Sequence, residues 1–514
     1  GEHSEIEAFV GDTVDSELSG NMIDICPVGA LTSKPFRYQA RTWEMSRRKS
    51  VSPHDATGAN LIVQVKNNRV MRVVPLENEE VNECWIADRD RFSYEALNSD
   101  ERLTQPMLKQ DGQWITVDWS TALEYIANGI QHIQTDHGAS AIGCLASPHS
   151  TLEELYLATQ FMRGLGSDNI DSRLRAADFQ HDGKTRWLGT SLASLSTLDR
   201  VLIIGSNIRK DQPLLAQRIR QAVRRGAKVH ALNEQAFDWS MPLAEVCLAD
   251  SAVWVQALAD IAAALAQKNN AELPAPGNAS SPAAQAIAAS LLSGERKAVL
   301  LGNAAAHHAK ASSLLALANF IAEQTGASVG YLGEAANTVG AQLVSARPLH
   351  SGMNAAQMLQ ASSLKAMFLL NTEPAHDCAV APHTLAGVDM VVTMSPFKTN
   401  LDISDVLLPV SPFTETAGTF VNTEARAQSF HGVVKPLGET RPAWKVLRVL
   451  GSMLKLPGFE FETIEEVRAM ALPQDIALHL SNATQAKVNL TAASQAPVSA
   501  SIYQLDALVR RASA

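Results

Sequence analysis

Apolar positions along the chain change period several times, and the changes mark its elements. Between residues 46 and 103 the spacing is that of strands. Leu61, Val63 and Val65 share one face, and Val70 and Val73 resume beyond Asn67-Asn68, a two-residue hairpin turn. From about residue 117 the period becomes helical, with apolar residues recurring from Ala122 to Ile133 behind Asp118 and Ser120 as caps. Farther on, strands and helices alternate. Residues 200–205 (RVLIIG) predict a buried strand, 213–225 a helix opened by Pro213 and closed by Gly226, and 227–232 (AKVHAL) the next strand. Short apolar runs at 298–301, 366–370 and 388–394 repeat the theme. Alternation of this kind implies an α/β fold of parallel sheets with helices on both faces. Segments 269–283 and 482–500, rich in Pro, Ala, Ser and Asn, read as surface connections.

Composition narrows the function classes. The chain has 514 residues, enough for several domains, with 46% hydrophobic and 19% charged residues, as in ordinary globular proteins. A formal net charge of −10 argues against nucleic acid as partner, since phosphate binding needs a net basic face. No run approaches the roughly 18 apolar residues of a membrane span. The most apolar stretch, 252–266, is short and carries Asp260. Membrane association is therefore expected only through partner subunits. Cys26, Cys84, Cys144, Cys247 and Cys378 are odd in number and scattered, which suits a reducing compartment and makes neither a disulfide framework nor a CxxC pair. The first residue is Gly1 and no signal-peptide pattern follows, so the N-terminus is expected to be a cut.

Cys26 has the most informative surroundings, SGNMIDICPVGALTS over 19–33. A Cys followed by Pro and small residues is a usual setting for the last ligand of an iron–sulfur cluster. The longer stretch 11–45, GDTVDSELSGNMIDICPVGALTSKPFRYQARTWEM, closely resembles the large iron–sulfur subunit of NADH–quinone oxidoreductase, respiratory complex I. A second block of the resemblance runs over 391–450, within which 415–428, ETAGTFVNTEARAQ, is similar to a molybdopterin-oxidoreductase motif, and the resemblance extends over essentially the whole chain. It implies that Cys26 is the fourth ligand of a [4Fe-4S] cluster. The family's other three ligands, its [2Fe-2S] domain and a further [4Fe-4S] site are absent from this sequence. It also implies three parts: 1–45, the end of a ferredoxin-like iron–sulfur domain; 46–103, a small β domain like the cluster domain of molybdopterin enzymes; and 104–514, a molybdopterin-oxidoreductase-like α/β body.

Laid on this sequence, the cluster pattern of molybdopterin enzymes puts Ser52, Asp55, Ala59 and Ala87 where four cysteines would stand. Such clusters need thiolates, so the small domain is expected to hold none. The molybdenum-ligand position, after a run resembling 168–175, falls on Ala177, followed by Asp178; neither is a soft ligand, and no molybdenum is expected.

Other candidates read as structural. Gly205 closes a strand without a G-x-G-x-x-G and suits a tight turn better than a phosphate loop. Arg218, Arg224 and Arg225 are expected on an exposed helix face, and His307-His308 on the surface as a poor chelate. The resemblance thus implies an electron-transfer and scaffold subunit, passing electrons from NADH through iron–sulfur clusters toward quinone, coupled to proton translocation. No complete active site is expected in this chain. Its implied partners are the other subunits of the peripheral arm, including the flavin subunit that binds NADH, and its implied place is the cytoplasmic face of the bacterial inner membrane. The rivals are an active, formate-dehydrogenase-like molybdopterin enzyme and a redox-inactive assembly scaffold.

Overall fold

The computed structural model describes residues 14–382, 385–501 and 503–513. Its strands in chain order are β1 Ser46–Val51, β2 Asn60–Lys66, β3 Arg69–Pro75, β4 Met107–Gln110, β5 Gln113–Thr116, β6 Ile142–Ala146, β7 Ile170–Asp171, β8 Arg200–Ile204, β9 Lys228–Asn233, β10 Glu245–Leu248, β11 Lys297–Leu301, β12 Ser328–Tyr331, β13 Ala366–Leu370, β14 Met390–Ser395, β15 Val406–Pro409, β16 Gly418–Val421 and β17 Ala427–Phe430. The first three form a small antiparallel sheet. A five-stranded parallel sheet runs β10-β9-β8-β11-β12. A seven-stranded sheet runs β5-β4-β15-β14-β13-β6-β7, parallel except for the β4–β5 hairpin at its edge, and β16 pairs with β17 alone. The α/β body and the small β sheet are those the pattern predicts.

Local chemistry explains the elements. Asn67 and Asn68 both take positive φ, 50° and 59°, as a type I′ hairpin requires, so β2 and β3 meet where the sequence places the turn. Asp118 caps the helix Trp119–His137 by accepting from the Thr121 N–H at 2.7 Å, and its apolar stripe from Trp119 to Ile133 is buried. Strand β8 is apolar throughout because both of its faces are covered. Leu202 and Ile204 pack with Trp254, Leu258 and Leu265, while Val201 and Ile203 pack with Leu188, Leu215 and Ile219.

One surface expectation is overturned. Helix Pro213–Arg224 leaves Arg224 and Arg225 exposed, but Arg218 is buried and donates to the carbonyls of Glu79 and Val81, at 2.6 and 3.1 Å. Helical period identifies a polar side of this helix; it does not reveal that the chain after the small sheet covers that side. Segment 482–500 is the surface connection expected, without helix or strand and mostly exposed or half-buried, and it is anchored to the body. Asn482 is buried and donates to the carbonyls of Trp187 and Val329, at 2.9 and 2.7 Å, and Val488 and Leu490 pack on the core of the five-stranded sheet. Among the described residues no helix is long and apolar enough to cross a membrane.

Arg102 joins the small domain to the body. Its guanidinium reaches Glu415 at 2.8 Å and the carbonyls of Leu97 and Pro396 at 3.0 and 3.2 Å, and both charged side chains are buried. The second oxygen of Glu415 accepts from the Leu437 N–H and the Thr440 hydroxyl. Removing the arginine strands a buried carboxylate. Arg102→Met should therefore lower unfolding stability by about 3–5 kcal/mol, read as a shift in urea midpoint; an unshifted midpoint would refute this role.

Candidate functional site

Cys26 follows the short helix Asn21–Ile25, and its N–H donates to the Met22 carbonyl at 3.1 Å. The chain then turns through Gly29, at φ +67°, and brings backbone N–H groups around the sulfur. The N–H of Leu31 first, then those of Val28, Ala30 and Gly29, lower the thiol's pKa and so favour the thiolate. Gly29 supplies the positive φ that the turn needs. The helix is clamped from outside. Asn21 exchanges hydrogen bonds with the Ile86 backbone at 2.7 and 3.2 Å, and Asp88 accepts from the Ser19 hydroxyl and the Gly20 N–H at 2.6 and 2.8 Å. Arg91 pairs with Asp24. Glu17 accepts ion pairs from Arg209 and Lys210 of the body. The sulfur thus sits half-buried on a segment held by two other parts of the chain.

The residues that clamp the Cys26 helix lie beside Ala87, and the positions read as lost ligands converge there. Ser52, Asp55, Ala59 and Ala87 are all buried. The Ser52 N–H donates to the Ala59 carbonyl at 2.9 Å, and Asp90 accepts from both the Ser52 hydroxyl and the Ala87 N–H. Asp55 pairs with Arg89 at 2.5 Å, and Arg89 continues to the Asp211 carbonyl at 2.8 Å. His54 completes the network, with Nδ1 2.5 Å from Asp506 and Nε2 2.6 Å from the Ser93 hydroxyl. Burial, with Asp55 adding to it, pushes the Asp90 carboxyl up to about 6. Burial likewise pushes Asp211 up to about 7. The interior between these positions is occupied by mutually paired carboxylates, an arginine and an imidazole. That donor set does not fit an iron–sulfur cluster, and Cys84, the only cysteine between residues 45 and 95, is exposed. Ser93, His54 and Asp506 have the connectivity of a nucleophile, a base and its orienting acid, but all three side chains are buried.

A cavity of about 350 Å³ opens in the body. Its walls come from segments following the carboxyl ends of parallel strands: Ser147–His149 after β6, Ser172–Ala176 after β7, Asn303 after β11 and Glu334 after β12. Strand order reverses beside β8 and β11 in one sheet and beside β6 and β13 in the other, and such switch points are where open α/β sheets leave crevices. Ala177 is exposed between two wall residues, Ala176 and Asp178, and Asp178 accepts from the Ser312 N–H and hydroxyl. Gly205 is elsewhere. It turns at φ +61°, its N–H is taken by the Leu232 carbonyl, and a Cβ there would meet Ala305 N at 2.7 Å, as fits a tight turn. The histidine pair is not on the surface. His308 is fully buried, stacked on Trp254 and 2.9 Å from the Ser251 carbonyl. His307, half-buried on the cavity wall, meets Glu334 at 3.0 Å. Adjacent positions diverge as expected, but both directions lead inward. Sequence reasoning also passed over Glu334. Burial opposes the charge of its carboxyl, yet Arg175 and His307 hold it well below the carboxylate range. Its sequence context carries no motif to mark it.

This architecture is shared with known proteins. The model of the molybdopterin oxidoreductase family matches residues 102–453, more than half of the chain, and the chain belongs to that family. Residues 45–95 match the NADH-ubiquinone oxidoreductase NDSU1/NuoG-like 4Fe-4S domain, and 1–32 the ferredoxin-like domain of NADH-quinone oxidoreductase subunit 3. Within the family the chain is like an NADH-quinone oxidoreductase subunit of Rickettsia conorii, 27% identical over 481 residues, which are 91% of this chain and 64% of the relative. It is likewise like the NADH-ubiquinone oxidoreductase 75 kDa subunit of Reclinomonas americana, 28% identical over 496 residues, 90% of this chain and 65% of the relative. The NADH-quinone oxidoreductase subunit of Rickettsia felis is 39% identical over 238 residues, 46% of this chain and 34% of the relative. The chain thus spans less than two thirds of the length of these curated relatives. Among solved structures, acetylene hydratase from Pelobacter acetylenicus shares the fold, with a TM-score of 0.59 at 14% identity, covering 80% of this chain and 70% of that one.

The His54–Asp506 pair should make stability depend on pH. Burial opposes the imidazolium, Asp506 favours it more strongly, and the His54 pKa ends above its ordinary value. A raised folded-state pKa stabilises fully below the unfolded value and less as pH climbs through the folded one. Asp506 is held below its ordinary value despite burial, chiefly by His54, so its contribution is present above the unfolded carboxylate value and lost in acid. His54→Gln should therefore destabilise more at about pH 5 than at about pH 9. Urea midpoints of both proteins at the two pH values test this, and an equal loss at both would exclude a charged pair.

Proposed function

We propose that the chain is the cluster-edge and scaffold portion of an electron-transferring subunit of an NADH–quinone oxidoreductase. The observation that carries the reading is the Cys26 corner: a thiol favoured as thiolate by backbone N–H groups of 28–31, on a helix clamped to the small domain through Asn21, Asp88 and Arg91. N–H donors directed at sulfur are what a cluster thiolate needs, since they stabilise its charge and help set the potential. When bound, a [4Fe-4S] cluster supplies one-electron transfer. The other three thiolates, the [2Fe-2S] cluster and further [4Fe-4S] clusters belong to residues outside these 514. Cys26 holds one iron, the clamp fixes where that iron stands, and the body positions the cluster domain against neighbouring subunits. Ile25 and Val28, exposed beside the sulfur at 62% and 80%, suit a contact face.

In this reading 1–45 is the end of the cluster domain, 46–103 a packing domain without a cluster, and 104–514 a body without molybdenum. The partners are the peripheral-arm subunits, including the one that oxidises NADH on flavin; electrons pass toward quinone, coupled to proton translocation, at the cytoplasmic face of the membrane. The hydrogen bonds of Ser52 and Ala87 to Asp90, with the Asp55–Arg89 pair beside them, support a small domain that is filled rather than awaiting a cluster.

The test is EPR of reduced protein that includes the upstream cluster segment, compared with its Cys26→Ala variant. One [4Fe-4S] signal should be lost or strongly altered while the others persist; an unchanged set of signals would refute the ligand assignment. Metal analysis of the same sample should find no molybdenum or tungsten, and one such atom per chain would favour the molybdopterin enzyme instead.

A further inference from the structure

The stretch that follows the Cys26 turn carries charges that the fold leaves unpaired. Between residues 34 and 49 stand six cations, Lys34, Arg37, Arg41, Arg47, Arg48 and Lys49, and one carboxylate, Glu44, in a chain of formal net charge −10. All six cations are exposed. Glu44 is taken by Lys66 at 2.9 Å, and none of the six makes an ion pair with a described residue. The small sheet adds to the excess. Arg47 on β1 lies opposite Gln64 on β2, and Gln64 opposite Arg72 on β3, so the two guanidiniums share one face. Burial opposes the charge of Arg72, and Arg47 opposes it further.

Two large aromatic side chains stand among these cations. Tyr38 is 96% exposed and Trp43 82%. Each belongs to a turn whose neighbouring groups are pinned. Ahead of Tyr38, the Arg37 N–H donates to the Ser33 carbonyl at 2.9 Å, and the Arg72 guanidinium lies over the Phe36 ring, 4.4 Å from its centre. Tyr38 itself takes φ +69°, a conformation that a bulky residue rarely adopts and that persists only where its surroundings impose it. Beyond Trp43, Glu44 accepts from the Arg41 N–H at 2.8 Å as well as from Lys66, and Met45 is buried. The backbone is thus fixed while both rings stand in water, which is the pre-organisation that lowers the cost of binding.

Charge along an edge strand is a common guard against pairing, and β1 is the edge of its sheet. That accounts for Arg47, Arg48 and Lys49, but a guarded edge has no use for an exposed tyrosine and tryptophan. Nor do the residues segregate as on a helix that lies along lipid: 34–49 contains no α-helix, and cations alternate with aromatics along the chain. Arginine with tyrosine and tryptophan is the composition of the anchoring centre of a protein interface.

We propose that residues 34–49 dock against an acidic surface of a neighbouring protein subunit, with Tyr38 and Trp43 as buried anchors and the arginines paired to its carboxylates. Such a surface supplies the opposite charge that the six cations lack. Because the chain as a whole is acidic, an acidic partner is repelled elsewhere, so the face also fixes orientation. The proposal rests on the reading of this chain as one subunit of a larger oxidoreductase, and not on Cys26 holding iron.

The experiment uses the assembled oxidoreductase, purified through a tag on another subunit. A carbodiimide, which joins an amine directly to a carboxylate in contact with it, is applied, and the cross-linked peptides are identified by mass spectrometry. Lys34 or Lys49 should be joined to an Asp or Glu of another subunit. The rate at which this chain leaves the tagged complex in raised salt should increase about tenfold or more in Trp43→Ala and in Arg47→Glu/Arg48→Glu. These side chains are exposed, so the urea midpoints of the variants should match that of the parent protein. EPR keeps the two readings apart: the reduced-cluster signals should persist in the docking variants, and the ligand assignment is decided by Cys26→Ala alone. Cross-links confined to this chain, its upstream segment included, would overturn the proposal, and so would release rates unchanged in both variants. Binding of the chain to vesicles containing phosphatidylglycerol, abolished in Arg47→Glu/Arg48→Glu and without any cross-link to another subunit, would assign the face to lipid instead and overturn it as well.

Discussion

The buried polar joint between the small sheet and the body holds together parts of the chain that are far apart in sequence. Ser52, His54 and Asp55 come from the turn between β1 and β2, Arg89, Asp90 and Ser93 from the short helix region that follows the sheet, Asp211 from the body and Asp506 from the last turn of chain. All but the half-buried Asp211 are nearly dry, so they depend on their partners to keep their charge or their hydrogen bonds. Such a joint is conditional: intact, it fixes how the sheet, the body and the C-terminal helix meet, and with one member missing it leaves a charge in a place water does not reach. The Cys26 helix rests on the same strip of chain, through Ile86, Asp88 and Arg91. The geometry of the sulfur is therefore inherited from the joint.

This dependence bears on the proposal that the small domain holds no cluster. Its three strands pack through Leu61, Val63 and Val73 against Ile86 and Phe420, a core that needs no cluster to form. What fills the converging positions is a set of groups paired with one another, Asp55 with Arg89, His54 with Asp506 and Ser52 with Asp90. Replacing Ser52 by a thiol removes the hydroxyl that Asp90 accepts from and supplies one soft ligand to a centre that needs four. Intermediates between a cluster and this network are worse than either, because each leaves a carboxylate or thiolate buried without its partner. Fold and ligand set are separable here because the apolar core carries the first and the polar joint has taken the place of the second.

Much of the fold was legible because it rests on local pattern. The Asn67-Asn68 turn, the Asp118 cap and the parallel pairing of β8 with β9 are each set by a few neighbouring residues. Residues whose meaning depends on distant chain were not. Arg218 has the spacing of a solvated arginine until residues 79–81 lie across it, and His308 looks like a surface histidine until Trp254 stacks on it. The candidate site divides in the same way. Cys26 announces itself by the proline and small residues after it, which make the turn that brings N–H groups to sulfur. The joint could not be read, since Asp90 and Asp506 stand in segments with no motif of their own.

The cavity and the sulfur also differ in what the fold asks of them. The crevice follows from topology, because two parallel sheets whose strand order reverses must leave space beyond their carboxyl ends. Space of this kind is indifferent to chemistry, and its contents are set by the side chains on its rim. Here the rim has paired most of its charges internally, Arg175 with Glu334, Arg173 with Asp171 and Arg186 with Asp182. The sulfur has no comparable topological cause: nothing in the packing of the sheets requires a thiol at residue 26 or four N–H groups turned toward it. Cys26 therefore points beyond the fold, through the backbone groups that favour its thiolate.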